Sequence, residues 1–437
     1  MNSRSTEHGK RQGPNLRQNS DLSPVRLYDD ISRVRIYIEG IVQGVGFRPF
    51  LHRLAEQHHI LGWVRNTSSG LEGCLEGTSS SLDGFIHELR TSPPPMALIE
   101  EVKVIPEPCP DGKLEGDPNE QPGWASDGQF KVDLNEHSER FSEFTIRESQ
   151  IDPGSTLISP DIAICPECAR ELALPSDRRY RYPFINCTNC GPRYTIIESL
   201  PYDRDRTVMN EFEMCDDCRN EYHDIHDRRY HAQPDCCPVC GPQVFFAPGS
   251  ETENPCDTAY DRNALYGENA FHLSQELLKN GGILAVKGIG GVHLACNAED
   301  PSAVRRLRAR KHRAEKPLAV MCRSLETVRR ICRLSASEEA LLTSPAHPII
   351  LLSKKDQGSF PELSFSSRLG VMLPYTPLHM LLLDGTYGGP DAVVMTSGNV
   401  PGCPVITENE EALRALAHTA DGFLLHDRRI QNRCDDS

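Results

Sequence analysis

The chain has 437 residues, 17 cysteines, and 62 acidic residues against 47 Lys and Arg, for a formal net charge of −15. The length suits about three domains, and the acidity argues against nucleic acid as the main partner, because phosphate backbones attract clustered basic charge. No run approaches the roughly 18 apolar residues of a membrane span and no N-terminal stretch resembles a signal peptide, so a reduced, cytoplasmic protein is expected.

Residues 1–30 are polar and read as a disordered arm. The first domain is expected over 31–149. RVRIYIEG (33–40) alternates Val34, Ile36 and Ile38 on one face, as a half-buried strand does. A loop with Gly40, Gly44 and Gly46 follows, then a helix over 49–60 opened by Pro49. Residues 62–77 read as a hairpin turning at Ser68–Gly70, followed by a helix over 79–90 and strands over 97–105 and 141–147. A Pro-, Gly- and acid-rich stretch, 106–138, reads as a polar surface insertion. This order predicts a ferredoxin-like α+β sandwich. The glycine loop feeds a helix N-terminus, where free N–H groups favour an anion. Arg48 can add a bidentate phosphate contact, and Asn66 can orient a water.

Four CxxC pairs occupy 160–245: Cys165/Cys168, Cys187/Cys190, Cys215/Cys218 and Cys237/Cys240. The gaps run 18, 24 and 18 residues, so a shift of fifty maps the first two pairs onto the last two. A CxxC hairpin sets two thiolates on one face of a metal, and two hairpins complete a tetrahedral site. Two structural Zn2+ are therefore expected. Grouping 165/168/187/190 apart from 215/218/237/240 is preferred, although interleaved pairing also fits the spacing. His223, His226 and His231 lie in the second gap as further candidate ligands, and Cys236 competes in register with Cys237. Residues 246–268 read as a polar linker.

The third domain is expected over 269–437, with a helix at 271–279 and an apolar strand at 282–288 that ends on Lys287 before the GIGG turn. A helix over 301–310 runs into RRLRARKHRAEKP (305–317), with seven Lys and Arg against one acid. Lys311, Arg313 and Lys316 thus precede a strand over 318–322. A strand over 393–399 presents Ser397 and Asn399 at its end. Ligands of α/β sheets bind beyond the carboxyl ends of strands, and cations with a hydroxyl and an amide there suit a nucleotide triphosphate or another multiply charged phosphate.

EGIVQGVGFRPF with GWVRNTSSG resembles the acylphosphatase signature. That resemblance implies that Arg48 holds an acyl phosphate and Asn66 positions the hydrolytic water. Lys311-x-Arg313 and Ser397-x-Asn399 resemble the KxR and SxN elements of YrdC-like domains, which make carbamoyl-type adenylates. The whole order resembles the HypF carbamoyltransferases of [NiFe]-hydrogenase maturation, on strings such as INCTNCGPRYTI, AVKGIGG, LGVMLPYTPLH and LLHDRRIQNRCDDS. The expected fold is an α+β multidomain protein: acylphosphatase domain, tandem four-cysteine zinc modules and YrdC-like α/β domain. The resemblance implies carbamoyl phosphate and ATP as substrates, Mg2+ with the ATP, and HypE as the protein that receives the carbamoyl group. Those KxR and SxN residues, Lys311, Arg313, Ser397 and Asn399, are joined by Lys287, Lys316 and Arg433 as the candidates around ATP and the carbamoyl group. Family members continue into a transfer domain, which is expected to be absent here because the sequence stops at Ser437; Asn297 stands where the family often has an acid. Two rival readings are threonylcarbamoyl-adenylate synthesis for tRNA modification and a non-catalytic zinc-ribbon binding module.

Overall fold

The computed structural model describes residues 31–108, 140–249, 265–400 and 402–435. The 1–30 arm and residues 109–138 of the polar insertion lie outside the described residues.

The first domain runs β1 (Ile31–Ile41), α1 (Phe47–Gln57), β2 (Leu61–Thr67), β3 (Gly70–Thr78), α2 (Ser79–Thr91), β4 (Leu98–Glu107) and β5 (Phe144–Ile146). Its sheet has the order β4-β1-β3-β2-β5. All neighbours are antiparallel except β5, which runs parallel to β2. The alternation read in β1 buries Ile36 and Ile38 completely, against Leu51 and Leu54 of α1 and Phe85 and Leu89 of α2. This is the ferredoxin-like sandwich. Helix α1 starts two residues earlier than expected. Gly46, in the left-handed conformation at φ 72°, is its N-cap, so Pro49 is its third residue. A left-handed cap costs glycine no Cβ clash and turns the loop sharply into the helix.

The cysteine region contributes two equivalent short helices, α3 (Pro166–Ala173) and α4 (Asp216–His223), N-capped by Cys165 and Cys215. It then enters the third domain directly. Strand β6 (Val244–Pro248) pairs with the last strand of the chain, so the expected linker at 246–268 begins inside a sheet. Residues 250–264 of that linker lie outside the described residues. The domain continues with α5 (Glu268–Lys279), β7 (Leu284–Lys287), β8 (Val292–Asn297), α6 (Pro301–Arg310), β9 (Ala319–Cys322), α7 (Leu325–Ile331) and α8 (Ala336–Leu342). It ends with β10 (Ile350–Ser353), β11 (Arg368–Met372), α9 (Pro377–Leu382), β12 (Ala392–Ser397), α10 (Asn409–Ala415) and β13 (Gly422–His426).

These strands form one eight-stranded sheet, β10-β11-β9-β12-β8-β7-β13-β6. Strands β7, β8, β9, β12 and β13 are buried on both faces, which is why they read as largely apolar runs, whereas edge strand β10 exposes Leu351. Ala285, Val320 and Val394 face α6 and its neighbours, while Val286, Met321 and Met395 face the other way. That second face packs on the cysteine region, in one core with Tyr182, Phe184, Ile185 and Cys187. Among the described residues no helix is long and apolar enough to cross a membrane.

Candidate active sites and metal centres

The glycine loop borders a cavity lined by Gly44, Gly46, Arg48, Asn66 and residues of the cysteine region. Gly44 and Gly46 both have positive φ, 73° and 72°. A Cβ on Gly44 would sit 2.9 Å from the Arg193 side chain, so here glycine also permits close approach. Gln43 fixes the loop: its Nε2 donates to the carbonyls of Thr67 and Gly70, each at 2.7 Å, and its Oε1 accepts from the Tyr202 amide at 2.8 Å. Arg193 ties the loop to the first cysteine module, donating to the carbonyls of Gly44, Cys187 and Thr188.

Arg48 and Asn66 meet at this cavity, one from α1 and one from β2. Arg48 donates to Asp203 Oδ1 at 3.1 Å. Asn66 is 1% exposed and its Oδ1 has no hydrogen-bond partner. A buried acceptor without a partner is costly, so the site is set up for a donor that arrives with ligand or water. The far wall comes from the second cysteine module. His231 is held at φ 53°, and burial, with the nearby charge of Arg48 adding to it, pushes its imidazole down to about 3. The Gln233 side chain accepts from the Tyr222 hydroxyl at 2.7 Å, leaving its buried Nε2 unpartnered. Asp203, Arg193, His231 and Gln233 carried no signal for this site in the sequence, because they stand well over a hundred residues from the loop.

The eight CxxC cysteines fall into two groups, 165/168/187/190 and 215/218/237/240, and within each group the sulfurs all lie within 4.8 Å of one another. Neighbouring Sγ atoms are 3.5–3.8 Å apart. A tetrahedron with Zn–S bonds of about 2.3 Å has edges of about 3.8 Å, whereas a disulfide would need about 2.05 Å. The donor set therefore fits zinc, without interleaving. None of the three histidines joins either group. Cys236 is also outside: its thiol faces the Phe184 carbonyl, and burial pushes it up to about 12.

The repeat also explains the surroundings of the thiolates. Arg178 of the first module donates to Cys218 Sγ of the second at 2.9 Å, and Arg228 of the second donates to Cys168 Sγ of the first at 3.1 Å. Arg178 and Arg179 pair with Glu221, as Arg228 and Arg229 pair with Glu171. A Zn(Cys)4 centre carries two net negative charges, so these crossed arginines offset them and make each module the outer shell of the other.

In the third domain, Lys311, Arg313, Ser397 and Asn399 come together. Lys311 Nζ donates to the Ser397 carbonyl and, at 3.0 Å, to Asn399 Oδ1, which also accepts from Ser397 Oγ at 2.9 Å. Arg313 donates to Thr396 Oγ1 at 2.7 Å, and its buried Nε has no partner. Burial brings Lys311 down to about 8, helped by the charges of Arg313 and Lys316. Lys316 and Arg433 are exposed, and the charge of Lys316 reaches Lys311. Lys287 stands apart, 3% exposed, with Nζ on the His426 carbonyl at 3.1 Å. It lines a second cavity with Phe184, Ile185, Tyr375 and Arg428. The cysteine hairpin at 187–193 separates the two cavities: Thr188 and Arg193 line the first, Gly191 and Pro192 the second.

Comparison with known proteins accounts for all three parts. Residues 34–113 match the acylphosphatase family, 164–197 and 214–247 the HypF finger, and 276–437 the family described as telomere recombination, which groups Sua5, YciO and YrdC. An acylphosphatase of Rubrobacter xylanophilus is 40% identical over 81 residues, 73% of its length. The first domain belongs to the acylphosphatase family. A carbamoyltransferase HypF of a Synechocystis strain is 44% identical over 93% of this chain, and a probable one from Methanocaldococcus jannaschii is 42% identical over the same share. The chain is HypF-like through all the residues it shares with them. It spans about half the length of these relatives, 48% of each. Full-length HypF in its phosphate- and nucleotide-bound form superposes with a TM-score of 0.78 at 43% identity, covering 93% of this chain and 48% of that one. The HypF-like order of acylphosphatase, tandem finger and YrdC-like domain is the arrangement of cavities and clusters described above.

Proposed function

We propose that this chain performs the early steps of a HypF-type carbamoyl transfer. Carbamoyl phosphate binds at the glycine loop, with its phosphate on the loop N–H groups and Arg48. Water oriented by Asn66 Oδ1 hydrolyses the mixed anhydride to carbamate and phosphate. Carbamate is unstable in water, so it passes along an enclosed route past the 187–193 hairpin. In the third domain carbamate attacks ATP, giving carbamoyl adenylate and pyrophosphate. Lys311, Arg313, Ser397 and Asn399 bind the nucleotide, Lys287 holds the carbamoyl end, and Lys316 and Arg433 guard the rim. Mg2+ bound with the triphosphate would screen its charge. Delivery to the C-terminal cysteine of HypE is the later step, and no residue described here is assigned to it. The observation that carries this reading is the pairing of Arg48 with the unpartnered Asn66 Oδ1 on one glycine-loop cavity.

The test is carbamoyl-phosphate-dependent ATP–pyrophosphate exchange by the chain. Exchange driven by threonine and bicarbonate instead would favour the tRNA-modification reading. Lys311→Ala and Arg313→Ala should each cut exchange about 10- to 100-fold, the usual worth of a charge-assisted hydrogen bond to phosphate. Full exchange by either variant would remove that residue from the phosphate site.

The lowered Lys311 sets a pH dependence. In the free protein its charge fades as pH rises through about 8. A bound triphosphate favours the charged form, so nucleotide binding at pH 9 should take up protons, and affinity should weaken from pH 7 to 9. Calorimetry in two buffers of different ionisation enthalpy measures this directly. Proton-neutral binding at pH 9 would mean that Lys311 does not meet the phosphates.

A further inference from the structure

The two cysteine modules present equivalent residues to different neighbours. Arg181 and His231 are related by the fifty-residue shift and share a left-handed backbone, φ 55° and 53°. Arg181 turns to the third domain, where it pairs with Glu268 and Asp384. His231 turns to the first domain and lines the Arg48 cavity. Two residues on, Pro183 of the first module lines the Lys287 cavity and Gln233 of the second lines the Arg48 cavity. The repeat keeps its left-handed turn here while its side chains differ from 181/231 through 186/236, so equivalent positions meet different neighbours.

We propose that His231 and Gln233 form a carbamoyl-reading wall, which completes the acyl phosphate site of the first domain from the second zinc module. This deepens the hydrolase reading above and rests on it. With the phosphate on the glycine loop and Arg48, the acyl end of the substrate faces this wall. A carbamoyl group offers one carbonyl acceptor and two N–H donors. Gln233 is 1% exposed, and its Nε2 is a buried donor with no partner, suited to the carbonyl. Its Oε1 is already engaged by Tyr222, which fixes the amide with Nε2 free. His231 packs against Tyr222 and Tyr230, at centroid distances of 5.1 and 4.5 Å, so its ring position is set by aromatic contact. Its imidazole is neutral at physiological pH. A neutral imidazole keeps a lone pair, which accepts from the carbamoyl N–H and does not compete with Arg48 for phosphate. Sites built to pair a substrate N–H discriminate against analogues that lack it, because the polar group is then left unsatisfied.

Acetyl phosphate is the decisive probe, since it keeps the phosphate and the carbonyl and replaces the amine by a methyl. The experiment compares kcat/KM for carbamoyl and acetyl phosphate in the full chain, with zinc content as the check that each variant is folded. His231→Phe keeps the aromatic packing and removes the acceptor. It should lower kcat/KM for carbamoyl phosphate about tenfold, a typical hydrogen-bond loss, and leave acetyl phosphate within about twofold. His231→Asn keeps an acceptor and tolerates the left-handed backbone, so it should restore most of the preference. Gln233→Leu should weaken both substrates alike, because both carry the carbonyl. An equal fall for both substrates in His231→Phe would overturn the carbamoyl role and leave His231 as a shape element. Unchanged rates for both in Gln233→Leu would overturn the carbonyl contact. If the parent chain hydrolyses neither substrate, or if Arg48→Ala hydrolyses both normally, the hydrolase reading itself fails, which is a distinct outcome.

Discussion

Cys187→Ala should release zinc and dismantle the middle of the molecule. Cys187 is fully buried and stands in the first group of four sulfurs, with neighbours at 3.7 and 3.8 Å. Structural zinc sites of this kind hold their metal with about 10–16 kcal/mol of apparent binding free energy in peptides at pH 7, and that energy is folding energy. It is as large as the roughly 5–15 kcal/mol by which a typical domain is stable. The damage should not stop at one site. Arg228 and Arg229 brace the first module from the second, and Arg178 and Arg179 return the contact. A collapsed first module would leave Cys218 without its arginine, and would bare the face of the third-domain sheet that packs on Phe184 and Ile185. Metal analysis should give two zinc ions per parent chain and at most one in the variant, with faster proteolysis within 160–245. Two retained ions would disprove the ligand assignment. Cys236→Ala should keep both, since its thiol lies outside the group.

How much of this could be read from the chain differs by region, for physical reasons. Strand β1, the hairpin and the CxxC groups were legible because each depends on local order: alternation, a turn, a fixed spacing. The KxR and SxN residues were legible as a set, and Lys311 does meet Asn399 across 88 residues of chain. Lys287 was named with them; its Nζ meets the His426 carbonyl and it lines the cavity of Phe184 and Arg428, a neighbourhood that a strand end alone does not show. Strand β6 was hidden in an apparent linker because an edge strand of five residues has too little pattern to detect. The far wall of the glycine-loop cavity was wholly hidden. His231 and Gln233 reach Arg48 only through the docking of one domain on another, which no local pattern records. His231 was even weighed as a zinc ligand, because proximity in sequence to the cysteines was the one signal it carried.

Arg48→Ala should abolish acyl phosphate hydrolysis, by about 1,000-fold or more in kcat/KM. Removing a single neutral oxyanion donor typically costs 100- to 1,000-fold. Arg48 is charged and 7% exposed, so it meets phosphate with little water to screen it. Its loss also frees the Asp203 carboxylate, now 3.1 Å away, to repel the incoming phosphate. Both terms act in the same direction, and Arg48→Lys should recover little, because an ammonium cannot hold phosphate and Asp203 as a planar fork does. Asn66→Ala should behave differently. Its Oδ1 makes no protein hydrogen bond, so the fold loses little, and binding of the phosphate is untouched. What is lost is the orientation of the attacking water, about 2–4 kcal/mol in the barrier and therefore in kcat, with KM nearly unchanged. Steady-state hydrolysis of acetyl and carbamoyl phosphate by the two variants separates these effects. A raised KM with normal kcat in Asn66→Ala would make Asn66 a binding residue, and unchanged kinetics would take it out of the mechanism. Normal hydrolysis by Arg48→Ala would show that the anion is held elsewhere, and the glycine loop would then have no claim to be the phosphate cradle.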